Sequence, residues 1–109
     1  MRHAHLRGAV LSAAMLFKSD LSGADMEKAV LHNARLDGAN LHAANLRGAF
    51  LQEANLTLAD LTEADLVGAN LTGADLLGAR LTGAKLTAEQ LDAAKNLQQV
   101  VLPDGTKHA

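Results

Sequence analysis

The side chains that could do chemistry in this chain are a few histidines, hydroxyls and carboxylates. The histidines are His3, His5, His32, His42 and His108, and no two of them converge with a carboxylate at the spacing of a metal site. A metal site formed by His3 and His5 is one interpretation of the start of the chain, and a solvated terminus is the one we favour. The chain has no cysteine, which excludes disulfides, thiolate nucleophiles and cysteine ligands.

Hydroxyl chemistry and phosphate binding also lack the residues that they need. Ser12, Ser22 and the threonines have no neighbouring base of the kind that activates a hydroxyl nucleophile. The glycines match neither a P-loop nor a dinucleotide fingerprint. We therefore expect a protein that is not an enzyme and that uses no cofactor and no metal.

Length and charge limit the kind of protein further. A chain of 109 residues suits one domain, here residues 1–109. The formal net charge of −2 gives no general attraction to nucleic acid or to an anionic membrane. No apolar run reaches the roughly 20 residues that span a bilayer, and no signal-peptide core follows the first five residues. These features, with the missing cysteine, predict a soluble cytoplasmic protein without direct nucleic-acid or membrane partners.

A repeat of five residues organises the sequence and must position most of the side chains named above. Leucine recurs every five residues from Leu6 to Leu91, and of these 18 positions only Met26 departs. If the leucine is position i, then alanine stands at i−2, polar residues stand at i−1 and i+1, and a small residue stands at i+2. The eight glycines of the repeat all fall at i+2, and Ser19 is the only non-alanine at i−2 from Ala4 to Ala84.

A period of five fits neither standard element. On an α-helix, leucines five residues apart would be displaced by about 140° around the axis, and on a strand they would point to opposite faces. Glycine at a fixed position favours a turn, where φ can be positive. Each unit is therefore predicted to be a short extended piece followed by a corner, and successive units form a coil that stacks on the next coil to pair its backbone groups.

Segments such as Ala39-Asn40-Leu41, Ala64-Asp65-Leu66 and Ala74-Asp75-Leu76 resemble the motif of the pentapeptide-repeat family, and the resemblance covers residues 4–87 without a change of register. It implies an all-β solenoid, namely a right-handed quadrilateral β-helix with 20 residues per coil and with the i and i−2 side chains inside. Four coils follow on this basis: residues 4–23, 24–43, 44–63 and 64–83.

The pattern changes after Leu86. Thr87 and Gln90 form a capping-box sequence, which predicts a short capping helix over residues 88–95 with Leu91, Ala93 and Ala94 facing inward. Asn96 would end the helix. Residues 96–103 are expected to form a final partial coil and residues 104–109 a tail. The helix would cover the open edge of the last coil.

The other end has no comparable cover in this sequence, because only three residues precede Ala4. The first coil would expose unpaired backbone groups and its leucine–alanine interior. Either the chain is a fragment of something longer, or two chains meet edge to edge, and the sequence leaves both explanations open.

Apolar residues occupy several outward positions, and those at i−1 stand where the family has aspartate or asparagine, whereas Phe17 stands at i+1. We call this set the apolar seam: Val10, Val30 and Phe50 on one side, with Met15 and Phe17 on the adjoining side. Contiguous apolar surface is typical of contact sites. We therefore expect a non-catalytic scaffold or protein-interaction module that binds itself as a homodimer, an unidentified protein, or both, through this seam or the N-terminal edge.

Acidic residues form a second feature of the predicted surface. The acidic band consists of Glu53, Asp60, Glu63, Asp65 and Asp75, in a segment without lysine or arginine. We favour a solvated face. The alternative, implied by the resemblance, is a DNA mimic that binds DNA gyrase or another topoisomerase, but that role requires a longer and more acidic rod. Ice binding is a remote third interpretation, because the threonines do not align into a ladder.

Overall fold

The backbone winds as a solenoid in which each position recurs one circuit later. The computed structural model describes residues 2–108. Parallel bridges join each i−1 residue to the residue 20 positions further on, as between Val10 and Val30 and between Val30 and Phe50. One circuit therefore takes four pentapeptides and has four sides. We call residues 4–23 the first circuit and residues 24–43, 44–63 and 64–83 the second, third and fourth.

Each side carries one bridged residue per circuit, and we name the sides after that residue in the first circuit: the His5, Val10, Met15 and Asp20 sides. Within residues 2–108 these bridges are isolated residues rather than longer strands, and the one helix is α1, Ala88–Ala93.

A tight turn follows each leucine of the repeat and makes the corner between two sides. The C=O of Leu6 accepts a hydrogen bond from the N–H of Ala9 at 3.0 Å, and the later corners repeat this bond. Position i+2 has a positive φ whereas position i+1 does not, which is the pattern of a type II turn. The glycines lie at these corners, as their spacing predicts, and at the other corners a side chain occupies the left-handed region, as at Leu58 with a φ of 59°.

Hydrogen bonds between neighbouring circuits pair the backbone N–H and C=O groups that are not used in the turns. Each leucine position donates to the following circuit, as from the N–H of Leu11 to the C=O of Val30 at 2.7 Å. Each i−1 position donates to the preceding circuit, as from the N–H of Val30 to the C=O of Ala9 at 2.8 Å. A circuit is therefore satisfied only when circuits lie on both of its edges.

Leucine and alanine fill the interior. From Leu21 to Leu81 every i position is at most 2% exposed, including Met26. Each buried leucine contributes about 2 kcal/mol before the entropy cost. The first circuit differs, because Leu6 and its equivalents Leu11 and Leu16 are only partly buried.

Long side chains at position i+2 lie across the corner of the next circuit. A Cβ atom added to Gly78 would lie 2.7 Å from Cδ2 of Leu58, and one added to Gly38 would lie 3.2 Å from Cγ of Lys18. Every i+2 side chain larger than asparagine has glycine 20 residues later, and these side chains are His3, Lys18, Lys28, Glu53, Leu58 and Glu63. The glycines of these six pairs therefore provide space as well as conformational freedom, and we call each such pair a stacked corner.

The C-terminal edge begins with α1. Thr87 Oγ1 accepts from the N–H of Gln90 at 3.2 Å, and the Gln90 side chain accepts from the N–H of Thr87 at 2.8 Å, so the capping box is present. The expected helix over residues 88–95 is too long, because the chain turns extended at Ala94. The N–H of Lys95 then donates to the C=O of Ala74 at 2.8 Å. The chain therefore pairs with the fourth circuit here instead of continuing the helix.

The residues after α1 pair with the fourth circuit, and the chain then folds back on itself. Arg80 and Val101 form a parallel bridge, which places residues 96–103 on the edge of the fourth circuit. Residues 104–109 were expected to be a tail, but Lys107 forms an antiparallel bridge with Val101, and residue 109 lies outside the described part. The reversal follows from a tight turn, in which Gly105 has a φ of 89° and the Asp104 carboxylate accepts from the N–H of Thr106.

Candidate interaction surface

Three of the five residues of the apolar seam form a continuous column on the Val10 side. Val10, Val30 and Phe50 occupy successive rungs of one ladder, because each is bridged to the next. Val10 is 76% exposed and Phe50 is 41% exposed, while Val30 between them is half-buried. The ring of His32 lies beside this column with its centroid 6.2 Å from that of Phe50. Three apolar side chains therefore share one outward face over three circuits.

The other two seam residues lie around the corner in the first circuit. Met15 is 63% exposed and Phe17 is 45% exposed. The guanidinium of Arg35 lies over the Phe17 ring, 5.2 Å from its centroid, and is held there by two hydrogen bonds to Asp37. Phe17 thus has a cation–π partner within the chain, whereas the Met15 side chain is largely open to solvent.

Two further exposed apolar residues were missed by the sequence interpretation. Leu58 and Val67 are both exposed. Leu58 lies at the corner equivalent to that of Phe17 but two circuits later, and Val67 lies at the corner that precedes Asn70. Their outward positions, i+2 and i+1, were readable from the repeat, but neither aligns with another apolar residue one circuit away. They are separate from the seam.

Aspartate and asparagine at position i−1 have a local structural task. All nine of them from Asp20 to Asp75 accept a hydrogen bond from the N–H two residues later, as Asn70 does from Thr72 at 3.0 Å. This is an Asx turn, in which the side chain satisfies an amide at the corner. Valine, phenylalanine and methionine cannot accept such a bond, so each seam residue at i−1 leaves its corner without this support.

The acidic band surrounds the third and fourth circuits instead of occupying one face. Asp60, Asp65 and Asp75 lie on three different sides, and Glu53 and Glu63 lie at corners over glycines. Basic residues interrupt the band, because Arg47 forms a salt bridge with Asp65 at 3.1 Å and Asp60 is bridged to Arg80.

Hydrogen bonds and salt bridges lower the pKa of several aspartates in the folded chain. Hydrogen bonds from the Ser22 hydroxyl and N–H hold the pKa of Asp20 below its usual value. Partial burial acts to raise the pKa of Asp65, but the N–H of Val67 and the Arg47 guanidinium outweigh it, so that pKa is also lowered. Both residues are ionised structural acceptors at neutral pH.

The histidines do not assemble a metal centre in the described residues. His3 and His42 line a shallow depression of about 440 Å³ at the Asp20 side, together with Asp20, Ser22 and Asn40. Within residues 2–108 no group of three histidine, aspartate or glutamate side chains is placed to hold a metal ion. A second open depression, of about 500 Å³, lies between α1 and the fourth circuit and is lined by Asn70, Leu71 and Thr87 among others. No helix in the same part of the chain is long and apolar enough to cross a membrane.

The family comparison agrees with this repeat geometry. A family model described as pentapeptide repeats (8 copies) matches residues 1–33, 24–62, 34–73 and 51–87, so the chain belongs to the pentapeptide-repeat family. The resemblance stated from the alanine–asparagine–leucine segments is confirmed. Proteins of this family, whose fold is the right-handed quadrilateral β-helix, are structural neighbours of the chain.

Solved structures with a similar repeat come from several organisms. The chain is 27% identical to a pentapeptide repeat protein from the Arabidopsis thaliana thylakoid lumen, with 99% of this chain and 85% of that chain covered and a TM-score of 0.56. It is 39% identical to HetL from the cyanobacterium Nostoc, a protein involved in heterocyst differentiation regulation, with 97% and 48% covered and a TM-score of 0.40. It is 23% identical to QnrB1, a plasmid-mediated fluoroquinolone resistance protein, with 93% and 54% covered and a TM-score of 0.48.

The chain thus spans about half the length of HetL and of QnrB1, and these likenesses carry no inference about function. No curated protein matches the chain.

Proposed function

We propose that the chain is a non-catalytic protein-interaction or scaffold module, built as a four-coil right-handed quadrilateral β-helix that α1 caps. The apolar seam is its contact surface, and the chain associates with itself through part of that surface. The chemistry-bearing residues support a non-catalytic role, because their carboxylates serve corner amides and salt bridges. A cytoplasmic location is proposed from the lack of cysteine.

The observation that carries this proposal is the alignment of Val10, Val30 and Phe50 on one ladder. At each of these positions an aspartate or asparagine would support the corner, as it does at the nine equivalent sites. A neutral hydrogen bond of this kind contributes about 0.5–1.5 kcal/mol, and the smaller value applies at an exposed corner. At three positions of the same column, the seam therefore has an outward-facing apolar residue in place of a stabilising one, which is the pattern of a contact surface.

The test is to give the seam the residue that its positions ordinarily have. A variant with Val10→Asn, Val30→Asn and Phe50→Asn is expected to fold, with a midpoint of unfolding at or above that of the parent chain, because each asparagine can accept the corner N–H. It is expected to lose self-association, measured by light scattering after size-exclusion chromatography over a concentration series.

The matched control is Leu58→Asn. It also removes an exposed apolar side chain, and asparagine tolerates the φ of 59° at this corner, but Leu58 lies outside the seam. We expect it to leave the molar mass unchanged. Unaltered association in the triple variant would show that the seam is not the self-contact surface. Loss of association in the control would show that removing any exposed apolar side chain prevents association, so that the effect is not specific to the seam.

A further inference from the structure

The two corners that flank the Val10 side differ in charge. In chain order, the corner before this side carries Lys28 in the second circuit, and the corner after it carries Glu53 in the third circuit. Both side chains are exposed. Lys28 lies across the corner of Gly48, and Glu53 lies across the corner of Gly73, so each extends toward the next circuit. A cation and an anion therefore flank the apolar column on opposite edges of the same side.

These two charges have no partner within the described chain. Neither Lys28 nor Glu53 forms a salt bridge or a side-chain hydrogen bond among residues 2–108. The other acidic and basic side chains at the two corners in the first four circuits are already held in salt bridges, and they are Arg7, Glu27 and Arg47. Lys28 and Glu53 are therefore the charges at this side that are available to a second molecule.

We propose that two copies of the chain pair side by side through their Val10 sides, with a two-fold axis parallel to the solenoid axes. This inference rests on the proposed self-association and gives its geometry. Rotation about such an axis sets each residue of the column opposite the same residue of the partner, as for Val30 and Phe50. It also sets the corner before the side against the partner's corner after it, so that Lys28 faces the partner's Glu53 at both edges of the contact.

A two-fold axis perpendicular to the solenoid axes does not match these charges. It sets like corners against each other, which brings Lys28 toward the partner's Lys28 when the axis passes through Val30. It also places Glu53 opposite the partner's corner of Ser12 and Ala13, which carries no charge. Because opposite charges across a contact fix its orientation, the free charges favour the parallel arrangement with its two equivalent ion pairs.

The apolar side chains also match in the parallel arrangement. The rungs of both columns have the same spacing of about 4.8 Å, so the three apolar residues of one copy meet those of the other rung by rung. The molecule measures 34 × 23 × 22 Å, and two such side faces bury at most about 1,500 Å², within the roughly 1,200–2,000 Å² of specific interfaces. Since the apolar part covers three rungs only, we expect a dimer that dissociates on dilution.

Charge reversal tests the pairing of Lys28 with the partner's Glu53. Lys28→Glu and Glu53→Lys each turn two attractive pairs per dimer into two repulsive ones, and each keeps a long side chain over its glycine. At low ionic strength, each single variant is expected to raise the dissociation constant of the dimer by roughly 10–100-fold, measured by light scattering over a concentration series. An equimolar mixture of the two variants is expected to recover the affinity of the parent chain, because the heterodimer restores both pairs.

The matched control is Lys18→Glu. It reverses a charge at another stacked corner, between the Met15 and Asp20 sides, and leaves the Val10 side unchanged. We expect the parent's dissociation constant for this variant. An equal weakening by Lys18→Glu would show an effect of net charge alone, and a mixture of Lys28→Glu and Glu53→Lys that associates no better than either variant would show that the two residues do not meet. Either result overturns the proposed pairing.

Cross-linking tests the orientation independently, because the chain has no cysteine. Packed faces lie about 10 Å apart, which a short bismaleimide spans. Val10→Cys alone is expected to give a covalent dimer on a denaturing gel, whereas Thr82→Cys, at a corner of the opposite Asp20 side, should stay monomeric. A cross-link that forms only in a mixture of Val10→Cys and Phe50→Cys chains requires the perpendicular axis and would overturn the parallel arrangement.

These outcomes separate the geometry from the proposed function. Association that is lost in the triple asparagine variant of the seam but is unaltered in Lys28→Glu would refute the paired charges and leave the seam as the contact surface. A parent chain that remains monomeric at every concentration would overturn both the self-association and its geometry.

Discussion

The stacked corners make a quantitative prediction about glycine. In Gly78→Ala, two effects act together. The residue keeps a φ of 67°, which costs an alanine about 1–2 kcal/mol relative to its usual conformations, offset by about 0.4–1 kcal/mol from the lower entropy of the unfolded chain. The new Cβ would also lie 2.7 Å from Cδ2 of Leu58, so the leucine side chain must move.

Gly68→Ala separates the two effects. Its φ is 75°, but its new Cβ would meet only the backbone of Gly48, at 3.9 Å, which is an ordinary contact. We expect Gly68→Ala to lower the free energy of unfolding by about 1 kcal/mol. Gly78→Ala should lower it by about 1.5–2 kcal/mol, because displacing the Leu58 side chain from this corner adds the cost of an off-rotamer position.

The assay is urea unfolding followed by circular dichroism, with Leu58→Ala and the double variant Leu58→Ala/Gly78→Ala completing a cycle. Removing the leucine should make Gly78→Ala cost no more than Gly68→Ala. Equal costs for the two glycine variants in the parent chain, or a cycle without coupling, would refute the view that these glycines make room for the side chain one circuit earlier.

Two further predictions concern the cap and the carboxylates. Gln90→Ala removes both bonds to the carbonyls of Leu66 and Ala69 as well as the capping-box contact, so it should lower the free energy of unfolding by about 1–3 kcal/mol. Thr87→Ala loses the helix cap alone and should cost about 1 kcal/mol; a larger loss for Thr87→Ala would contradict the role given to Gln90. The pKa of Asp20 and of several other aspartates is lowered in the folded chain, so their stabilising contribution is complete above the unfolded value of about 3.9 and is lost as the pH falls through the folded value. The melting temperature should therefore fall below about pH 4, and a melting temperature that rises on acidification below that pH would refute this assignment.

The repeat made most of the solenoid predictable, because one residue type recurs at one spacing over the whole body. Leucine at every fifth position fixes which side chains are inside, and it yields the register of 20 once the family resemblance supplies four corners per circuit. The start of α1 was equally readable, because Thr87 and Gln90 satisfy backbone groups within a few residues of each other. Local chemistry was sufficient for the interior positions and for the start of the helix, whereas the circuit length came from the family resemblance.

Features that depend on contacts between distant residues were not predictable in the same way. The end of α1 is set by the bond from Lys95 to Ala74 one circuit earlier. The reversal after Pro103, by contrast, was missed although its turn residues, Asp104 and Gly105, are local. The stacked corners are an intermediate case. Their signal, glycine 20 residues after each long i+2 side chain, is present in the sequence, but it has meaning only when the circuit length is known.

The seam shows how the same repeat helps to locate a candidate site. Because aspartate and asparagine support nine corners, the apolar residues at the equivalent positions stand out as departures from a local rule. The sequence identified their alignment, and the structure adds that Val10 and Phe50 are exposed and that Val30 is half-buried.

The most direct test of the interaction module is the solution molar mass of the 109-residue chain and of its Val10→Asn/Val30→Asn/Phe50→Asn variant, by light scattering over a concentration series. The chain has a mass of 11.4 kDa. A mass that rises toward twice this value with concentration for the parent chain, and that stays at the monomer value for a folded triple variant, is the predicted result. Identical monomer masses for both chains at every concentration would contradict self-association through the seam.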